Sequence, residues 1–150
     1  MTEPSRTRRM TGVGMVLVFV YGILALAATG RSTVQILRDF DEAPLAYSLS
    51  AVAAVVYILA TLALMFAKSR VWYRIAWVSV VFELVGVVVV GTLSIAAPEL
   101  FQHATVWSLY GSGYFWVPLV LPFFGIWWLV VHHGPSRVPA EQAVPVEQTR

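Results

Sequence analysis

The sequence predicts an all-α membrane protein: a four-transmembrane-helix bundle with both termini on the cytoplasmic side and a disordered C-terminal tail. Three observations predict it. The chain is 59% hydrophobic and 12% charged, with a mean hydropathy of +0.75, whereas charged residues make up about 25% of an ordinary soluble domain. Four apolar runs reach the roughly 20 residues that the hydrocarbon core of a bilayer requires. The basic residues gather on one side of those runs. Helix is the only regular structure these runs can form in lipid, because isolated strands would leave backbone groups unpaired and no barrel-like alternation is present. In 150 residues the runs leave no room for a second folded domain, so the chain forms one unit.

Residues 1–9 form a basic N-terminus with Arg6, Arg8 and Arg9. The first span is expected over residues 10–29. A secretory signal peptide is the rival reading, but the run from Thr11 to Thr29 exceeds an apolar signal core of about 7–15 residues, so a retained span is favoured. A long connection from Arg31 follows, and Asp41-Glu42-Ala43-Pro44 provides the acidic, Pro-containing start of the second helix, whose span covers residues 45–67. Lys68-Ser69-Arg70 makes a tight turn into the third span, residues 71–95. Between Ala96 and Gly113 the spacing predicts an interfacial helix that turns Leu100, Trp107 and Tyr110 toward lipid, with Glu99 and His103 on one surface turn. Gly111-Ser112-Gly113 forms a flexible entry to the fourth span, residues 114–131, which stops at His132-His133-Gly134-Pro135 because Gly caps a helix and Pro cannot continue it. The transmembrane domain thus covers residues 10–133, and residues 134–150 are polar and aperiodic, as a disordered tail would be.

Arg6, Arg8, Arg9, Lys68, Arg70, Arg74, Arg137 and Arg150 share one side. Arg31 and Arg38 lie on the other, with Asp39, Asp41, Glu42 and Glu99. This asymmetry places both termini in the cytoplasm. The aromatic residues agree with it, giving an inner belt of Trp72, Tyr73, Trp77, Trp127 and Trp128 and an outer belt of Trp107, Tyr110, Tyr114 and Trp116.

Glu83 is the one ionisable residue in the middle of a span, and at that depth it needs compensation, since a carboxylate there costs about 2.5–3.5 kcal/mol by insertion scales. Its helix segregates by size. Ala76, Ser79, Gly86, Val90 and Ser94 share its face, and Val78, Val81, Val85, Val88 and Val89 fill the opposite one. Small residues allow helices to approach closely, so the first stripe is the packed side. The second span repeats the pattern around Tyr57 with Ala46, Ser50, Ala53 and Thr61, and the first around Tyr21 with Gly14, Ala25, Ala28 and Ser32. Tyr21, Tyr57 and Glu83 fall near the centres of their helices, which predicts Glu83 hydrogen-bonded by Tyr21 or Tyr57 with Ser79 one turn away. Two roles remain open for this group: a proton or cation relay, or a polar tie that fixes helix register. The tie is favoured, because a transport route generally needs more than one titratable group in the spans.

Pro118 and Pro122 lie one turn apart in the fourth span, where each removes a backbone bond. They are candidates for a hinge, weighed against a static kink, which is favoured because Pro is common in spanning helices. No metal site is expected: Asp39, Asp41, Glu42, Glu99 and His103 lack a calcium-loop spacing, and one histidine does not make a zinc site. The adjacent His132 and His133 diverge on a helix. No cysteine is present, which removes thiol chemistry, and no catalytic or nucleotide-binding signature appears. The chain is therefore expected to be no enzyme and to carry no cofactor. The formal charge of +2 is too small to argue for nucleic acid. The expected partners are the lipid bilayer and another membrane protein or a second copy of the chain.

The stretches Phe-Asp-Glu-Ala-Pro-Leu-Ala-Tyr-Ser-Leu-Ser and Tyr-Gly-Ser-Gly-Tyr-Phe-Trp-Val-Pro-Leu-Val-Leu-Pro-Phe-Phe-Gly-Ile-Trp-Trp-Leu resemble segments of small, uncharacterised four-helix integral membrane proteins of actinobacteria. That resemblance implies a plasma-membrane setting, the bacterial inner membrane, and transfers no site. The functional expectation is an accessory or scaffold bundle, with a small proton- or cation-coupled transporter using Glu83 as the alternative.

Overall fold

A computed structural model describes residues 12–132. The predicted basic N-terminus and polar tail lie outside the described residues. Those described are helical with no strand, in the order α1 (Gly12–Asp39), α2 (Pro44–Met65), α3 (Arg70–Ala96) and α4 (Val117–His132), with short 3-10 turns at Phe40–Glu42, Pro98–Leu100 and Ser108–Tyr114. Helices α1, α2 and α3 are each long and apolar enough to cross a membrane, and α4 makes a fourth span if the 3-10 segment before it is counted with it.

The helical hairpins follow from local chemistry. Pro44 opens α2 at its first position, where the missing N–H would have had no helical partner and the ring presets φ. The α2–α3 turn closes with the Ser69 amide donating to the Phe66 carbonyl at 3.1 Å, and α3 begins at Arg70, close to the expected boundary. The faces also follow the expected stripes. Ala76, Ser79, Glu83 and Val90 are buried on α3, Ala46, Ser50, Ala53 and Tyr57 on α2, and Gly14, Tyr21, Ala25, Ala28 and Ser32 on α1. Val78, Val81, Val85, Val88 and Val89 are exposed on the reverse of α3, as aliphatic side chains facing lipid would be.

Two connections differ from expectation. The first is mostly helix, because α1 runs past Thr29 to Asp39. At 28 residues it is about 42 Å long, more than the hydrocarbon thickness of about 30 Å. Nothing in Gly30–Asp39 breaks a helix, and the Arg31 guanidinium anchors this extension by donating to the Ala104 carbonyl at 2.7 Å. The end of an apolar run marks the depth of lipid and not the end of a helix.

The second difference lies between α3 and α4. The expected lipid-facing interfacial helix is absent, and the chain instead turns inward. Trp107 is 2% exposed, and Tyr110 packs against Gly91, where an added Cβ would meet its ring at 2.5 Å. Leu109, Tyr110 and Gly111 all have positive φ, as do Phe115 and Trp116. The axis bends by 96° between Ser108–Tyr114 and α4, and the bend falls at Phe115–Trp116. Pro118 occupies the first turn of α4 and Pro122 its interior, both on the buried face, and α4 stays helical through them. Irregular backbone at membrane depth persists only where protein covers it. Here α3 and α4 supply the cover, and the Ser94 hydroxyl accepts from the Leu109 amide at 2.8 Å.

Candidate functional site

The interior polar group is assembled from all three long helices and the inward-turning segment. The Tyr21 hydroxyl of α1 donates to Glu83 Oε2 of α3 at 2.6 Å. The Tyr21 and Tyr57 rings lie 6.3 Å apart at 49°, which brings α2 to the same spot. Tyr57 in turn accepts at its hydroxyl oxygen from the Trp107 indole N–H at 3.0 Å. Tyr21, Tyr57 and Glu83 are each 0% exposed. Ser79 is buried one turn before Glu83 on the same face. Of the residues the sequence singles out, Tyr21, Tyr57, Glu83 and Ser79 are thus gathered in the core. Pro118 and Pro122 lie on the packed face of α4, whose Gly125 faces Val80 and the Tyr21 hydroxyl.

Trp107 is the residue that sequence reasoning misplaces. It does not belong to an outer aromatic belt, because its ring lies against Gly86, where an added Cβ would meet it at 2.7 Å. Trp128 likewise leaves the inner belt: it is buried against Gly14 and stacks on His132 with ring centres 5.6 Å apart. The readable signals were Gly86 and Gly14 themselves, small residues on packed stripes that each admit an indole.

The two oxygens of Glu83 differ. Oε2 is held by Tyr21, whereas Oε1 is buried with no hydrogen-bond partner among the described residues. A carboxyl in this setting can accept one further hydrogen bond or bear a proton. The Trp107–Tyr57 bond is separate from the Tyr21–Glu83 bond, and its donor is an indole N–H, which cannot accept and pass on a proton.

The chain leading into the inward segment is held at the acidic end of the bundle. His103 Nε2 lies 3.5 Å from Glu42 Oε2, and its ring packs on Tyr47 with centroids 5.7 Å apart. Glu42 is therefore the carboxylate beside His103, in place of the expected neighbour Glu99. The Thr105 and Ser108 side chains bond each other at 3.0 Å, and Thr105 Oγ1 accepts from the Trp107 amide at 3.1 Å. This short motif fixes the backbone from which Trp107 projects. Among the described residues, no group of three or more histidine and acidic side chains could hold a metal ion.

The fold and its interior define a class, a membrane-embedded helical bundle with a buried carboxyl–phenol pair beside a buried phenol–indole pair. No protein-family model, curated protein or solved structure matches the chain.

Proposed function

We propose that the chain is an accessory or scaffold component of a bacterial plasma-membrane assembly. In this reading it has four spans, both termini lie in the cytoplasm, and it catalyses no reaction of its own. The observation that carries the reading is a pair of buried hydrogen bonds, Tyr21 to Glu83 and Trp107 to Tyr57, brought side by side by the contact of the two tyrosine rings. These bonds join α1 to α3 and α2 to the inward segment, so they act on helix register and on the placement of Trp107. Each interhelical bond of this kind is worth about 1 kcal/mol, enough to select one packing among similar ones. A rigid core of this sort leaves the outward faces to present a fixed surface to lipid and to a partner, another membrane protein or a second copy of the chain.

A second reading, a small proton- or cation-coupled transporter, is favoured by the buried Glu83 Oε1 without a partner. In that case Glu83 takes the proton or cation, Tyr21 positions it, and Tyr57 and Ser79 supply further oxygens. Purification from native membranes and reconstitution of the same material separate the two. The scaffold reading expects a stoichiometric membrane-protein partner, or a stable homo-oligomer, and liposomes no leakier to protons or alkali cations than empty ones. Flux abolished by Glu83→Gln would contradict it.

A further inference from the structure

The basic end of the bundle carries charge that no described residue neutralises. Lys68, Arg70 and Arg74 are exposed. The described carboxylates apart from Glu83 lie at the opposite end, where His103 pairs with Glu42. Arg70 and Arg74 are four residues apart, so they stack on one face of α3. Continuing along that face at helical spacing leads into a shallow, largely open apolar groove lined by Trp77, Val78, Val81, Phe82 and Val85. From Trp77 to Val85 the groove runs about 12 Å along the helix axis. Glu83 and Ser79 lie on the reverse face, so this surface is independent of the interior polar group.

A pair of cations above an apolar trough has the profile of one amphiphile, an anionic head followed by a hydrocarbon chain. We propose that this face of α3 binds a single anionic phospholipid, its phosphate against Arg70 and Arg74 and one acyl chain along Trp77, Val81 and Val85. Charge complementarity selects the occupant. A zwitterionic lipid would bring its own cation to the guanidinium pair, and a second copy of α3 would bring two further arginines to the same place. Arginine suits the role, because its planar donors engage phosphate oxygens in pairs.

The test uses the full chain in vesicles of phosphatidylcholine containing graded amounts of brominated phosphatidylglycerol or brominated phosphatidylcholine. Bromine quenches nearby indoles, and the Trp77 contribution is the difference from Trp77→Phe. We expect brominated phosphatidylglycerol to quench Trp77 at a roughly 25-fold lower mole fraction than brominated phosphatidylcholine, since each of the two arginines near the surface favours anionic lipid by a factor of about five. The preference should disappear in Arg70→Gln/Arg74→Gln, shrink in high salt and persist in Arg70→Lys/Arg74→Lys. Equal quenching by the two lipids, or a preference that survives the double glutamine variant, would overturn the proposal. So would efficient α3-to-α3 crosslinking of Val81→Cys in membranes, which would assign the groove to a second copy.

Discussion

Glu83 decides how the interior is read. Its Oε2 receives a short hydrogen bond from Tyr21 in a site closed to solvent, so removing either partner strands a buried polar atom. Glu83→Leu leaves the Tyr21 hydroxyl without its acceptor and should destabilise the protein in detergent by about 1–3 kcal/mol. Tyr21→Phe should cost about 1 kcal/mol. The double variant should cost less than the sum of the two, because both delete the same bond. Thermal unfolding of the three variants checks this, and strict additivity would show that the bond contributes nothing. The convergence of these residues was legible in the sequence, because one carboxyl and two phenols near the centres of three helices share faces lined by small residues. Which phenol reaches Glu83 was not legible, since a rotation of either helix by a few tens of degrees exchanges them. The structure assigns Tyr21 to the carboxyl and Tyr57 to Trp107.

At the scale of elements, the inward segment between α3 and α4 is the least ordinary part of the fold. Leu109, Tyr110, Phe115 and Trp116 hold left-handed backbone, which costs L-residues roughly 1–2 kcal/mol each. The burial of Trp107 and the bonds from Arg31 and Ser94 offset that cost. Gly86 is the seat of the Trp107 ring, so Gly86→Leu should displace the indole and lower stability by about 1–3 kcal/mol, the usual range for overpacking. Val88→Leu, on an exposed face, should be nearly silent, and equal melting shifts would refute the packing assignment. Arg31→Ala removes only the exposed anchor to Ala104 and should speed amide hydrogen exchange at Thr105 and Trp107 while leaving α2 and α3 unchanged. Uniform exchange throughout would mean that the segment is not held there. This element was invisible to periodicity, because its residues follow neither a 3.6-residue nor a two-residue repeat. An aromatic residue between two spans looks the same whether it lies in the interface or plugs the bundle.

For the whole molecule, helix number and the location of charge were readable because bilayer thickness and the cost of buried charge act directly on composition. The length of α1 was not, since helix-forming residues continue past the apolar run. The segregation of charge, acidic at the end with Asp39, Glu42 and Glu99 and basic at the end with Lys68, Arg70 and Arg74, underlies the proposed orientation. The absence of native cysteine makes that orientation simple to test. In intact cells a cysteine placed at Ser69 should resist an impermeant thiol reagent, and one placed at Gln102 should react. The reverse pattern would invert the topology.

The proposal that the buried carboxyl serves architecture and not proton exchange is tested most directly by complementing a deletion strain with Glu83→Gln, in protein verified to melt as the native chain does. Glutamine keeps an acceptor for Tyr21 in nearly the same volume but cannot exchange a proton. Full complementation is the predicted result, whereas a normally folded Glu83→Gln protein that fails to complement would contradict the account.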